Sequence, residues 1–311
     1  MDLRHVKLLS DAGQSPLEEL GGKGYSLAVL TRHGFNVPPG FVLTVAAFTS
    51  HLAYNGLTGQ VEQFLTAMDE ENCDVRSTRL RELVSRGIVP PVVEEAVVEG
   101  LAALGLETVS VRSSAVGEDG ARYSFAGLHD TCLNVRGERT AVLQKVMECW
   151  ASLFNHRAML YRIRKRIPLR DGMAVVIQKM IPAEVSGVTF TQHPSDKGRL
   201  LIEASYGLGD MVVGGQGGCD DYVVDRATLE LVEKRVGNKT RLSVSAREGT
   251  VAAPVGEGLV REPALSEPGI IEVSQTCLRI EGLFGRPQDV EWCTSGGRLW
   301  VLQSRPITGQ T

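Results

Sequence analysis

Two runs of alternating residue types close to the C-terminus, Gln288-Asp-Val-Glu-Trp-Cys-Thr and Arg298-Leu-Trp-Val-Leu-Gln-Ser-Arg, are separated only by Ser295-Gly296-Gly297 and read as the two strands of a hairpin. Residues opposite one another share a face, so the register can be tested against residue type. Setting Asp289 against Gln303 places Val290 against Leu302 and Trp292 against Trp300, which makes one face wholly apolar. The other face collects Asp289, Glu291, Gln303 and Arg305, with Val301 as its apolar member. A one-residue slip would mix the sets, so this register implies a loop of three or five residues.

Two carboxylates at i and i+2 of one strand face lie about 6.6–7 Å apart along the chain. That spacing suits oxygen ligation of one or two Mg²⁺ ions, which are held by one or two carboxylates together with substrate phosphates. Arginine and glutamine beside them hydrogen-bond phosphate oxygens, the guanidinium as a bidentate fork. The set is an ATP·Mg²⁺ site in outline; the plain alternative is a surface salt bridge across a hairpin.

Elsewhere the pattern alternates between two periods. Val45–Leu104 is mostly helical, with apolar residues at spacings of three and four, as in Val61, Phe64, Leu65 and Met68. Val109-Ser-Val-Arg-Ser-Ser is a strand with Ser110 and Arg112 on its polar face. Glu138 to about Arg166 is helical again, followed by strands Met173–Met180, Gly187–Phe190, Leu200–Ser205 and Tyr222–Asp225. Arg247–Pro263 reads as irregular, and Ser266–Phe284 as a helix capped by Ser266. Proline at 182 interrupts an apolar run and marks a crossing between two lobes, 1–182 and 183–311. The fold class is α+β.

Glycine makes up 34 of 311 residues, about 11% against an ordinary ~7%. The surplus gathers at 21–24, 117–127, 207–218 and 296–297, where backbone can approach a ligand or turn tightly. Lys23 lies in the first cluster at the start of a helix, where a lysine serves as a phosphate point charge; no P-loop pattern follows it. Ser124-Phe125-Ala126-Gly127 and then Thr131 offer small residues and backbone donors. A net charge of −4 gives no electrostatic argument for nucleic acid or an anionic membrane as partner. With no signal peptide and no membrane span in sight, the chain reads as cytoplasmic. The six cysteines form no metal-ligand spacing and read as free, buried thiols.

Taken together, Gly21-Gly22-Lys23-Gly24, Asn36-Val-Pro-Pro-Gly-Phe, Val111-Arg112-Ser113-Ser114 with Glu118-Asp119, Ser124-Phe-Ala-Gly, His129-Asp-Thr, Val176-Ile-Gln-Lys-Met, Ile202-Glu-Ala-Ser-Tyr-Gly-Leu-Gly, Gly285-Arg-Pro-Gln-Asp-Val-Glu-Trp and Leu302-Gln-Ser-Arg-Pro-Ile-Thr resemble, in order from about residue 10 to 308, the nucleotide-binding domain shared by phosphoenolpyruvate synthase, pyruvate phosphate dikinase and rifampin phosphotransferase. The resemblance implies an ATP-grasp fold of two lobes with ATP in the cleft between them. It implies that Lys23 and Arg112 contact ATP phosphates, that Gly127 and Thr131 belong to a phosphate-covering loop, and that Gln178 lies at the adenine side. Glu291, Gln303 and Arg305 fall at the phosphates and metal, Asp289 joins Glu291 as a metal ligand, and Glu203 and Glu184 are weaker candidates for the metal or ribose side. Lys23, Arg112 and Arg305 would carry the catalytic charge balance.

The implied activity is that of an ATP-binding and activating module of a dikinase-type phosphotransferase, with ATP and Mg²⁺ as substrate and cofactor; the alternatives are a free-standing ATP-grasp kinase or ligase acting directly on a small molecule and a non-catalytic ATP-sensing module. A carrier histidine on another domain or chain would be its partner, and a small molecule such as pyruvate or rifampin the acceptor. The sequence departs from the pattern in lacking a Thr-Ser-His-type carrier motif, in Cys219 where relatives have proline, and in Leu128 where many have glutamine. The basic stretch Arg157–Arg170 is a solvated helix end or a docking face for a carrier.

Overall fold

A computed structural model describes residues 4–117, 131–169, 171–215 and 218–307. The chain divides into two compact units, Met1–Arg32 with Pro39–Met180, and His33–Pro38 with Ile181–Thr311.

The first unit contains, in order, β1 (Val6–Leu8), α1 (Leu17–Arg32), β2 (Gly40–Leu43), α2 (Val45–Tyr54), α3 (Thr58–Thr66), α4 (Cys73–Ser85), α5 (Pro91–Leu104), β3 (Thr108–Ala115), β4 (Thr131–Arg136), α6 (Arg139–Ser152), α7 (His156–Lys165) and β5 (Met173–Lys179). Its antiparallel sheet runs β1-β2-β5-β3-β4. Side-chain alternation gives that sheet two functions. Phe41, Leu43, Val109, Val111, Val175 and Ile177 point into the main core, where Phe48, Trp150 and Phe154 of the helical layer meet them. The opposite face, with Val42, Val176 and Ser114, lies under α1.

The helical content expected for Val45–Leu104 is present as α2–α5. The basic stretch divides: Arg162 is 1% exposed and ion-paired with Asp171 at 2.6 Å, whereas Arg164 sits at the surface against Glu70. Arg162 therefore belongs to no docking face.

The second unit contains β6 (Val185–Phe190), β7 (Arg199–Tyr206), α8 (Asp210–Val213), β8 (Asp220–Asp225), β9 (Leu231–Arg235), β10 (Arg241–Ser245), β11 (Thr250–Pro254), α9 (Glu267–Phe284), β12 (Gln288–Ser295) and β13 (Arg298–Pro306). Its six-stranded antiparallel sheet runs β13-β12-β6-β7-β8-β9, and β10 and β11 form a separate ribbon. β9, β10 and β11 have no counterpart among the expected strands, and β11 falls within the stretch read as irregular; β9 and β11 are largely exposed with little period-two signal, and β10, although it alternates, is only five residues long. Ser266 caps α9 as expected, accepting a hydrogen bond from the Gly269 amide. The helix buries Ile270, Val273, Cys277 and Ile280, and packs across β12, β6 and β7.

Asp220 and Lys239, both wholly buried, form an ion pair that ties β8 to the segment after β9. The remaining lone pairs of the carboxylate are taken by the Gly237 and Ala264 amides and the Tyr222 hydroxyl. None of the six cysteines is in a disulfide, and four of them are buried. Among the described residues no helix is long and apolar enough to cross a membrane. Replacing Lys239→Met strands the Asp220 carboxylate without its cation, and urea denaturation should record a loss of about 3–5 kcal/mol.

Candidate active site

In the second unit the hairpin forms, but in a different register from the expected one. The turn has two residues, Gly296 and Gly297, both at positive φ (57° and 70°), and Ser295 pairs with Arg298. A bulge between Glu291 and Trp292 leaves Leu302 unpaired, so Trp292 faces Val301, Cys293 faces Trp300, Glu291 faces Gln303 and Asp289 faces Arg305. At the carboxylate end the true register differs from the expected one by two residues, which preserves the face. At the turn end it differs by one, so Trp300 and Val301 exchange sides. The two tryptophans do not pair, and Val301 joins the buried face.

Asp289, Glu291, Gln303 and Arg305 are thus brought together as expected, on the face opposite α9. Arg305 donates to Asp289 Oδ2 from Nε at 2.9 Å and from Nη2 at 2.7 Å. Asp289 Oδ1 is buried and has no hydrogen-bond partner. Burial pushes the Asp289 carboxyl above its usual range; Arg305 opposes the rise and Glu291 adds to it.

The register carries the same face across the sheet. Gln303, Glu291, Val188, Glu203, Asp221 and Arg235 form one continuous cross-strand row. Glu203 is half-buried, and its donor atom lies within 4.8 Å of those of Cys219 and Asp221. Burial, then Asp221, raises its pKa, while Arg235, ion-paired to Asp221, opposes the shift. Burial and the two acids push the Cys219 thiol up to about 11. Asp221 escaped the sequence reading, although the alternation of Cys219-Asp-Asp-Tyr put it on this face. Glu184 is placed elsewhere: its carboxylate accepts the Gly296 amide at 3.1 Å, closing the hairpin turn.

In the first unit the Lys23 segment is shaped by strand β3. Helix α1 breaks at Gly21 (φ 67°), where a Cβ would stand 1.9 Å from the Ser114 carbonyl oxygen, so only glycine fits. The Ser114 hydroxyl donates to the Leu20 carbonyl at 2.8 Å and accepts from the Gly24 amide at 3.0 Å, stitching the break shut. Lys23, 7% exposed, immediately precedes that amide. Arg112, also buried, lies two positions from Ser114 on the same strand face. A bulge in β4, where Asn134 takes φ 53°, brings Thr131 directly opposite Arg112. Gln178 shares this face, opposite Ser110 and Gly40, and is 2% exposed. Gly127 lies outside the described residues. The glycines at 207 and 218 serve the protein itself: a Cβ there would meet the backbone oxygens of Ser243 and Asn238 at 2.5 Å.

The sequence matches the model of the pyruvate phosphate dikinase, AMP/ATP-binding domain family over residues 17–311. The chain belongs to this family. Within it, the chain is 38% identical over 98% of its length to a probable phosphoenolpyruvate synthase of Methanothermobacter thermautotrophicus, of which it covers 46%. It is 38% identical over 99% of its length to a rifampicin phosphotransferase of a Streptomyces species, covering 36% of that protein. A rifampicin phosphotransferase of Bacillus cereus is 36% identical over 93% of the chain and 34% of its own length. The family domain thus spans about a third to a half of these relatives.

The raised pKa of Glu203 has a definite sign. Below the carboxylate's unfolded pKa it is protonated in both states and costs nothing; above its folded pKa the full penalty of burying the charge applies. Glu203→Gln should therefore raise the melting temperature at about pH 7.5, with the gain vanishing by about pH 3.5.

Proposed function

We propose that this domain, an ATP-grasp fold, is the ATP-binding and activating module of a dikinase-type phosphotransferase. In the reaction, water takes the γ-phosphoryl group of ATP as inorganic phosphate, a histidine on a carrier domain or chain takes the β-phosphoryl group, and AMP leaves. The histidine then passes its phosphoryl group to a small-molecule acceptor of the pyruvate or rifampicin kind. The observation that carries the reading is the hairpin face, with two carboxylates directly opposite a glutamine and an arginine.

Mg²⁺ fits this face. Asp289 presents a buried carboxylate oxygen with no hydrogen-bond partner, and a second carboxylate stands two residues along the same strand. Asp289 and Glu291 would hold the ion; when bound, it neutralises charge on the phosphate oxygens. Arg305 holds Asp289 by its other oxygen, which keeps the remaining oxygen in one orientation. Gln303 donates its amide to a phosphate oxygen. Lys23 and Arg112 balance the charge that spreads over the transferring phosphoryl groups, a positioning and electrostatic task. Thr131 and Gly127 belong to the loop covering the phosphates, Gln178 binds adenine, and Glu203 serves the metal or ribose side.

Incubated with Mg·ATP and a separately expressed carrier-histidine protein, the chain should yield AMP and phosphohistidine. ADP as the sole product would overturn the reading. Glu291→Ala should lower AMP formation by about a hundred-fold or more, while melting temperature stays near that of the parent.

A further inference from the structure

We propose that Gln288 and Ser304 are positioning residues: their hydrogen bond on the α9 side of the hairpin fixes the bulge that keeps Gln303 and Arg305 opposite Glu291 and Asp289. The proposal rests on the reading of that hairpin face as the site of Mg²⁺ and phosphate binding. Ser304 stands between Gln303 and Arg305 in the chain and lies opposite Val290, on the buried face. Gln288, two residues before Val290, shares that face. Both are 1% exposed, and the Ser304 hydroxyl donates to Gln288 Oε1 at 2.8 Å. Gln288 Nε2 donates to the Arg286 and Pro287 carbonyls at 3.1 and 3.3 Å, so both ends of the side-chain amide are engaged. The backbone is held as well: the Gln288 N–H donates to Thr191 Oγ1 at 2.8 Å, and its carbonyl accepts the Thr191 amide at 2.9 Å.

The bulge decides which side chains meet the two acids. Continued without it, the pairing of Trp292 with Val301 would set Leu302 against Glu291, Gln303 against Val290, Ser304 against Asp289 and Arg305 against Gln288. Gln303 and Arg305 would then turn toward α9, leaving the carboxylates opposite a leucine and a serine. The extra residue in β13 reverses this, and in doing so sends the Ser304 hydroxyl into the core. A buried hydroxyl needs a partner, and Gln288 Oε1 supplies it. In the unbulged pairing Ser304 would leave Gln288 for the opposite face, and a guanidinium would enter among buried side chains. A satisfied polar pair of this kind adds little net stability, because desolvation offsets its gain; its effect is to make the competing register unfavourable.

The test uses the full chain carrying Gln288→Met and Ser304→Ala together, which removes both partners and leaves neither unsatisfied, so the melting temperature should stay near the parent's. Register is read without ATP from cross-strand backbone contacts in the nuclear magnetic resonance spectrum. The parent should show residue 304 opposite Val290; in the double variant that contact should weaken or give way to one with Asp289. In parallel, kcat for AMP formation from Mg·ATP with the carrier-histidine protein should fall about tenfold or more. If the double variant does not fold, Ser304→Ala alone is judged by the same two measurements. A folded variant that keeps the parent pairing, or one that changes pairing with kcat unmoved, would overturn the proposal. A parent chain that pairs residue 304 with Val290 yet makes no AMP would overturn the site reading and the positioning role with it, while the lock on register is judged from the pairing alone.

Discussion

Strand β12 is hydrogen-bonded on both sides, to β13 and β6, and this double pairing leaves its side chains no choice of direction. Val290 and Trp292 must go toward α9, where the indole N–H finds Thr189 Oγ1 at 2.8 Å. Asp289 and Glu291 must go the other way. The apolar half of the strand thus holds the acidic half in position: rotating the carboxylates to solvent would bring two fully buried side chains out of the core. The cost of that arrangement is visible in Asp289, whose carboxyl is pushed up by burial although Arg305 clasps it. A cation at the unpartnered oxygen would relieve it.

Buried polar groups elsewhere in the chain act as connectors at places where the regular ladders stop. Ser114 closes the break in α1 with one hydroxyl, donating and accepting at once. Asp220 gathers Lys239 and the Gly237 and Ala264 amides from segments distant in sequence, together with the Tyr222 phenol of its own strand. Asp171 does the same for the end of β3 and the start of β5. In each case the carboxylate or hydroxyl satisfies amides that no strand neighbour reaches, which is the condition for burying them at all.

Much of the candidate site's grouping was legible in the sequence because strand alternation is a local property. The grouping of Asp289 with Glu291, Gln303 and Arg305 needs only parity, and parity survived a register shift of two. The register itself was not legible. The bulge at Leu302 is a choice between a two-residue glycine turn and full pairing, and it depends on twist and on the packing of β13. Arg162 shows the same limit for charge: within Arg-Ile-Arg-Lys-Arg nothing local distinguishes the one arginine that folds inward to meet Asp171. Cys219 and Asp221 joined Glu203 only through the pairing of β7 with β8.

By itself the sequence determined the α+β class, the shared face of Asp289, Glu291, Gln303 and Arg305, the helix cap at Ser266, and, through its ordered motifs, the family. These follow from periodicity and residue type, which act over a few positions. Tertiary structure alone decided which polar groups are buried, how each is satisfied and how far their pKa values move. Those depend on which segments distant in sequence arrive beside one another, and a one-residue bulge or a single inward arginine changes the answer without changing any local pattern.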